Sequence, residues 1–305
     1  MANSRRCSVV IPTYNRAELL GHTLESLTRQ SLATDQFEVL IGDDGSTDHT
    51  TSVIDRYRDR LDLHHLYQEH DGVGATRARN AGIRRAAGEI CVMLDSGVMA
   101  HSTMLAAHLA SHDAAPGPVA VIGYVYGFDL DGGNNSELER LIDPLDPDGT
   151  IERLATRRDY SDVREGFYLR YDNDEFADLP APWIMYWTCN VSARTRQLHD
   201  VGLFDETFRT LGGEDLDLGY RLHCDGARFV LDRAARSVHY PHPKDFSQNL
   251  TDATINYQHM NAKYRSPVMP LLLATPTIHP FNINDVIAVL DLPPEATRMD
   301  RKQAR

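Results

Sequence analysis

In the first 125 residues, short unbroken apolar runs alternate with amphipathic stretches, the pattern of strands joined by crossover helices. Residues 7–11 are mostly β-branched and stop at Pro12, while residues 18–30 place Leu19, Leu20, Thr23, Leu24 and Leu27 on one helical face. Residues 37–41 read as a second strand, followed by a helix over 48–58 that Ser46 or Thr47 would cap. A third strand is expected at 63–67. Residues 75–87, rich in Ala and Arg, suit a helix ending at Gly88, and the continuous apolar run 89–94 carries Asp95 at its C-terminal end. A helix over 103–111 and a strand over 119–125 close this half, giving a βαβ succession with a parallel sheet.

From Asp129 to Pro182 the texture changes to acidic residues, prolines and scattered aromatics with no sustained period, which reads as an insertion. Regular structure resumes over 183–192, with a helix over 214–224 and a strand over 228–231. Beyond Pro267 the chain is broken by Pro270, Pro276, Pro280, Pro293 and Pro294, so it should wrap the core or a partner as short pieces. A second copy of the chain is one such partner, giving a homodimer through this extension.

Composition narrows the class. Of 305 residues, 42% are hydrophobic and 25% charged, ordinary globular values that disfavour disorder, collagen-like repeats and a disulfide scaffold. Lys and Arg total 31 against 44 Asp and Glu, a formal charge of -13 that repels phosphate backbones, so nucleic acid is not expected as a partner. Cys7, Cys91, Cys189 and Cys224 lie too far apart in sequence for metal knuckles or redox motifs. No apolar run reaches the about 18 residues that span a bilayer, and the N-terminus lacks a signal-peptide core, so a cytoplasmic location is expected. The basic residues include only three lysines, Lys244, Lys263 and Lys302, a skew that points to GC-rich coding and a bacterial source.

In open parallel sheets, ligands bind at the carboxyl ends of strands. Three polar clusters fall there: Pro12-Thr-Tyr-Asn-Arg16, Asp43-Asp-Gly-Ser-Thr-Asp48 and Asp95-Ser-Gly97. A Tyr ring can stack on a nucleobase, and a carboxylate can accept a base N–H or ribose hydroxyls. Turn and cap chemistry explains any one cluster equally well; three at successive strand ends favour a shared crevice.

These segments, with Gly74-Ala-Thr-Arg-Ala-Arg-Asn-Ala-Gly82 and Leu94-Asp95, resemble glycosyltransferase family 2 in order and spacing. Val201-Gly-Leu-Phe-Asp-Glu206 and Gly212-Gly-Glu-Asp-Leu-Asp-Leu-Gly-Tyr-Arg-Leu222 look like that family's acceptor-side segment. The resemblance spans about residues 7 to 240. It implies the GT-A fold, a Rossmann-like α/β architecture with a mostly parallel central sheet flanked by helices. Residues 1–125 would form the nucleotide-sugar-binding half and residues 126–240 the acceptor-binding and catalytic half, with the insertion at 129–182. Residues 241–305 would be a helical, Pro-rich extension.

Carried over by position, the resemblance implies that Pro12, Thr13, Tyr14, Arg16, Asp43 and Asp44 surround the nucleoside of a nucleotide-sugar, most often a UDP-sugar. Arg79 would reach the base or diphosphate, and Asp95 the phosphates. Relatives carry Asp-x-Asp where this chain has Asp95-Ser-Gly97, so the second carboxylate that would ligate Mg²⁺ or Mn²⁺ is missing. Asp95, donor oxygens and waters remain as hard oxygen ligands. His239 matches a late histidine that supplies a metal ligand in related transferases, and His101 could approach from the next helix start. As a lone histidine at a strand end, His239 has an equally ordinary structural reading.

Glu214 and Asp215 open a helix, where carboxylates are favoured by the N-terminal dipole, so capping is one reading. Inverting transfer also needs a base to take the acceptor hydroxyl proton, and the resemblance assigns that to Asp215, with Glu214 orienting the acceptor. Trp183, Trp187 and Asn190 would lie on the acceptor side, the aromatics stacking on a soluble or carrier-bound acceptor or packing in the core. Asp143, Asp146 and Asp148 could attract a cationic acceptor or simply be solvated. A non-catalytic or metal-independent relative that binds a nucleotide-sugar is the alternative, motivated by Gly97. A nucleotidyltransferase is disfavoured because residues 12–16 are no Gly-rich phosphate loop, and a dehydrogenase because no Gly-x-Gly-x-x-Gly follows the first strand.

Overall fold

The computed structural model describes the chain outside residues 1–4, 73, 129–134, 171–173, 175, 177, 209, 211, 244–245, 276 and 294–305. Pro276, Pro294 and the start of the expected insertion, 129–134, therefore lie outside the described residues.

Strands β1 (Cys7–Thr13), β2 (Phe37–Asp43), β3 (Leu63–Tyr67) and β4 (Ile90–Leu94) pair in parallel in the order β3-β2-β1-β4. Alternation along these runs feeds two cores. Val9, Ile11, Val39 and Ile41 pack with Leu20 and Leu24 of helix α1 (Ala17–Leu27) and Val53 of α2 (Thr50–Asp55). Val10 and Leu40 face the other way, toward Ile83 of α3 (Ala75–Arg85). Both sheet faces are thus covered, which is why these strands read as continuous apolar runs.

The remaining strands turn the sheet into a mixed one. After β5 (Val98–Ala100), α4 (Met104–Ala114) and β6 (Val119–Tyr126), the insertion contributes α5 (Asn135–Leu141), α6 (Pro147–Ala155) and α7 (Glu165–Tyr168), with no strand among its described residues. Strand β7 (Asn190–Arg194) then inserts antiparallel between β4 and β6. Helices α8 (Thr195–Asp200) and α9 (Glu214–Cys224) lead to β8 (Arg228–His239), which runs parallel to β6 and antiparallel to β5. The full order is β3-β2-β1-β4-β7-β6-β8-β5.

Strand β8 is three times the length expected from its apolar start. Its partner register jumps between Gly123 and Tyr124, from Asp232 to Arg236, a bulge that bends the strand and curls the sheet. The polar stretch Asp232-Arg-Ala-Ala-Arg236 hid this continuation.

The acidic residues of the insertion make joints. Asp146 caps α6 by accepting from Gly149 N at 3.0 Å, Asp143 accepts from Leu145 N, and Asp148 accepts from Ser102 N at 2.8 Å. Helix α2 begins at Thr50, later than expected, and its first turn is held by Asp48, whose Oδ1 accepts from Thr50 N at 3.0 Å. The other oxygen of Asp48 accepts from Ala17 N, tying the start of α1 to the loop after β2.

The 18-residue helix α10 (Phe246–Lys263) opens the extension expected to be helical, with bounds that no sequence period marked. Its last turn is anchored by Lys263 Nζ, which donates to Asp217 Oδ1 at 2.6 Å, and by Tyr264 OH, which donates to the same oxygen. Beyond it, α11 (Met269–Leu272) and α12 (Ile283–Val289) bury Met269, Leu272, Ile283 and Ile287 in this chain's own core. Among the described residues, no helix is long and apolar enough to cross a membrane.

Candidate active site

One cleft of about 620 Å³ opens where β1, β2 and β4 end, and α9 and α10 close its far side. Its lining includes Pro12, Thr13, Tyr14, Arg16, Asp44, Arg79, Asp95, Trp187, Glu214, Asp215 and His239, most of the residues expected from sequence. Four expected residues do not line it. Asp43 is buried beneath it, accepting from Ser46 N at 2.8 Å and pairing with His65 Nε2 at 2.8 Å. Burial would raise its pKa, but these bonds outweigh it and hold the carboxyl below its usual range.

Trp183 is fully buried, edge-on to Tyr220 of α9 at 5.4 Å, and acts as core. Asn190 is also fully buried at the start of β7. Its Nδ2 donates to Ala235 O at 2.9 Å and to Ser237 Oγ at 3.0 Å, and its Oδ1 pairs with His108 Nε2, so it fastens the β8 bulge. His101 is likewise outside the lining, beside Thr103 and Arg236.

Within the cleft, Asp44 is only 3% exposed. Gln68 Nε2 donates to its Oδ1 and His70 Nδ1 pairs with its Oδ2, both at 2.7 Å. Gly74 makes room for this carboxylate, because a Cβ there would lie 1.7 Å from Asp44 Oδ1. Tyr14 and His70 stack face to face, with centroids 4.1 Å apart and planes within 7°. Gln68 and His70 were not singled out from sequence, although they follow the third strand and the strand-end rule reaches them.

Arg79, which also lines the cleft, is 5% exposed. Its Nη2 donates to Asp95 Oδ1 at 2.9 Å and its Nη1 to Glu214 Oε1 at 3.2 Å, with the guanidinium 5.5 Å from the Phe204 ring centroid. Burial weakens its hold on the proton, but Asp95 and Glu214 more than offset this and the net pKa shift is upward. Arg79 lines the cleft, and there its guanidinium joins two carboxylates.

Asp95 opens a tight turn in which Val98 N donates to Asp95 O at 3.0 Å and Gly97 takes φ +96°, a left-handed value that side chains resist. A Cβ at Gly97 would meet Leu19 at 3.4 Å, so this position faces α1 and supplies no cleft ligand. His239 arrives from another direction. It pairs with Val98 across β5 and β8, and Tyr240 N donates to Gly97 O at 2.8 Å, which brings the end of β8 against the Asp95 turn. Asp95 and His239 both line the cleft here, and a carboxylate with an imidazole fits a divalent cation completed by phosphate oxygens and water. Among the described residues, the group of three ligand-type side chains that converge is Glu38, Asp62 and His64, near the other end of β2 and β3, where Arg5 pairs with Asp62.

Asp215, next to Glu214, keeps an opening to the cleft and accepts from Leu216 N at 2.9 Å. Burial, then the neighbouring Glu214 carboxylate, push its pKa up to about 7, against the opposing pull of Arg79. A carboxyl poised there suits a general base near neutrality. Trp187 lines the cleft beside Phe128, its Nε1 donating to Ile184 O at 2.9 Å. Asn249 of α10 and His242, whose Nε2 lies 3.2 Å from Arg16 Nη1, complete a rim that sequence did not single out as binding residues.

A family model described as Glycosyl transferase family 2 matches residues 8–175. Among characterised relatives, a validoxylamine A glucosyltransferase from Streptomyces hygroscopicus subsp. jinggangensis is 37% identical over 268 residues, covering 88% of this chain and 63% of the relative. The chain thus spans about 60% of the length of the validoxylamine A glucosyltransferases it matches. Among solved structures, S. aureus TarS in complex with UDP-GlcNAc superposes with a TM-score of 0.61 at 18% identity, covering 88% of this chain and 70% of that one. A mannosyltransferase from Pyrobaculum calidifontis in complex with GDP-Man and Mn²⁺ gives 0.59 at 18% identity, covering 93% and 74%. The fold is that of these GT-A structures.

Proposed function

Because the chain belongs to glycosyltransferase family 2, we propose that it moves a sugar from a nucleotide-sugar to an acceptor hydroxyl by a single, inverting displacement. The observation that carries this reading is that Tyr14, Asp44, Asp95 and Asp215 all line one cleft. UDP is the first nucleotide to test, since TarS binds UDP-GlcNAc, and glucose the first sugar, from the name of the Streptomyces relative.

In this reading Tyr14 and Asp44 hold the base, and Asp95 faces the diphosphate. Asp215 takes the proton of the acceptor hydroxyl as that oxygen bonds the anomeric carbon, the bond to the phosphate oxygen breaks, and the nucleoside diphosphate leaves with its electron pair. Glu214, fixed by Arg79, keeps negative charge beside Asp215 and so keeps its basicity high. Trp187 offers a flat apolar face to a sugar-like acceptor. Asp95 and His239 would hold a divalent cation, which would neutralise charge on the leaving diphosphate.

A thermal-shift panel of UDP-, GDP-, TDP- and CMP-sugars with and without Mn²⁺, followed by transfer assays on the stabilising donor, tests the proposal. Stabilisation follows RT ln(1 + [L]/Kd), about 2.7 kcal/mol at a hundredfold excess. Binding without transfer or hydrolysis of any donor would favour the non-catalytic alternative.

A further inference from the structure

The nucleoside end of the cleft contains a side chain that does what a nucleobase would do. The His70 imidazole lies flat on Tyr14, with centroids 4.1 Å apart and planes within 7°. From that position its Nδ1 pairs with Asp44 Oδ2 at 2.7 Å. A planar heterocycle stacked on the tyrosine and sharing a proton with the carboxylate is the arrangement a base with a ring N–H would adopt.

Asp44 is 3% exposed, so a base cannot reach its oxygens until some cover moves away. Of the two side chains bonded to it, Gln68 comes directly after β3, one residue past Tyr67, with its backbone N–H bonded to Asp43 O at 2.9 Å. His70 lies two residues further on, with a side chain 34% exposed and lining the open cleft. The backbone around it is held, packed on Gly45 and tied to α3 by Arg77, which donates to Glu69 O at 3.3 Å and pairs with Asp71, so it is the His70 side chain that turns away into the open cleft. Tyr14, 41% exposed, stays in place as the platform.

We infer that His70 is an internal stand-in for the nucleobase: it holds Tyr14 and Asp44 in place while the cleft is empty, and the base of the donor must displace it to bind. His70 then sets how tightly and how selectively the chain takes a nucleotide, because only a base that stacks on Tyr14 and donates to Asp44 replaces both contacts it breaks. The inference rests on the nucleotide-donor reading and adds a competing side chain to it. Apparent affinity is the intrinsic affinity scaled by the fraction of molecules in which the platform is free.

The test is calorimetric titration of UDP, GDP, TDP and ADP into the wild type and into His70→Ala, Tyr14→Ala and Asp44→Ala. The expected result is that His70→Ala binds the preferred nucleotide about two- to tenfold more tightly, the range an aromatic stacking contact provides. It should also discriminate less sharply among the four bases, while Tyr14→Ala and Asp44→Ala bind more weakly. If His70→Ala binds as the wild type does, or more weakly, His70 is a neighbour or a second wall of the base pocket and the stand-in is wrong, with the donor reading intact. If no nucleotide binds the wild type or His70→Ala, both fall. A crystal structure with UDP gives an independent readout: the uracil must lie on Tyr14 where the imidazole was, and an imidazole still stacked there would overturn the inference.

Discussion

Arg79 of α3 and Glu214 in the first turn of α9, 135 positions apart in sequence, form a buried ion pair of 3.2 Å. The same guanidinium bonds Asp95, so one cation fixes the distance between the turn after β4 and the start of α9. A buried arginine is suited to this because its planar fork serves two acceptors at once without losing its proton.

Removing Arg79 should therefore act on stability as well as on the cleft. Arg79→Ala leaves Glu214 without a cation in a low-dielectric site, and breaking a buried pair in this way costs about 3–5 kcal/mol. Urea unfolding measures it, and Arg79→Lys should recover part of the loss through a single point charge. A loss below about 1 kcal/mol for Arg79→Ala would show that the pair does not tie α3 to α9.

Asp215 should make the protein less stable as pH rises. Its pKa is raised from 3.8 to about 7 in the folded chain, so between these values the native state binds more protons than the unfolded state. The stabilisation linked to its protonation is full below about pH 3.8 and is lost on going up through 7. Asp215→Asn removes this dependence, and its melting temperature relative to wild type should rise between pH 4 and pH 8. A flat difference across that range would mean that the carboxyl titrates normally.

The two tryptophans should separate cleanly. Trp183→Ala opens the core beneath α9 and should cost about 3–5 kcal/mol, whereas Trp187→Ala, in the cleft wall, should mainly raise KM for acceptor. Stability curves and acceptor titrations on both variants check the division, and a raised acceptor KM for Trp183→Ala alone would reverse it.

The pattern of the sequence reached the half of the fold where each strand is an apolar run and each helix has a clear face. It failed where tertiary contacts override local pattern. Strand β8 continues past Leu231 through polar residues because Asn190 and Ser237 satisfy its bulge from within the sheet. Helix α10 has mixed polarity and gains its anchor from Asp217, a carboxylate far away in sequence. Within the site, residue type marked the strand ends but not the direction of each side chain. Asp43 and Asp44 are adjacent where β2 ends, yet one lies buried beneath the cleft and the other lines it. Asn190 was expected at the acceptor because it follows aromatics, while the demand of a buried bulge for an amide donor is visible only in three dimensions.

Metal dependence should be present but shallow. Asp95 and His239 are the ligand-type side chains at the turn after β4, and Gly97 faces Leu19, so affinity should be lower than where a second carboxylate takes part. Activity should need Mg²⁺ or Mn²⁺ at raised concentration, disappear in Asp95→Ala and fall partially in His239→Ala. Full activity after exhaustive chelation would shift stabilisation of the leaving group onto arginine and histidine side chains of the cleft.

The sharpest expectation concerns Asp215 as base. Asp215→Asn preserves shape and can still accept from Leu216 N, so fold and donor affinity should survive while proton removal is lost. General-base catalysis contributes about 10²–10⁴-fold, so kcat should fall by that much with donor KM little changed. Wild-type activity should rise with pH through about 7 as Asp215 ionises, and the variant's residual rate should lack that step. NMR of the new linkage should show the anomeric configuration opposite to that of the donor. A retained configuration excludes a single displacement from the face opposite the leaving group, and an Asp215→Asn enzyme within a few-fold of wild type requires another base. Either result would remove Asp215 from the chemistry and leave it as a helix-start carboxylate held beside Glu214.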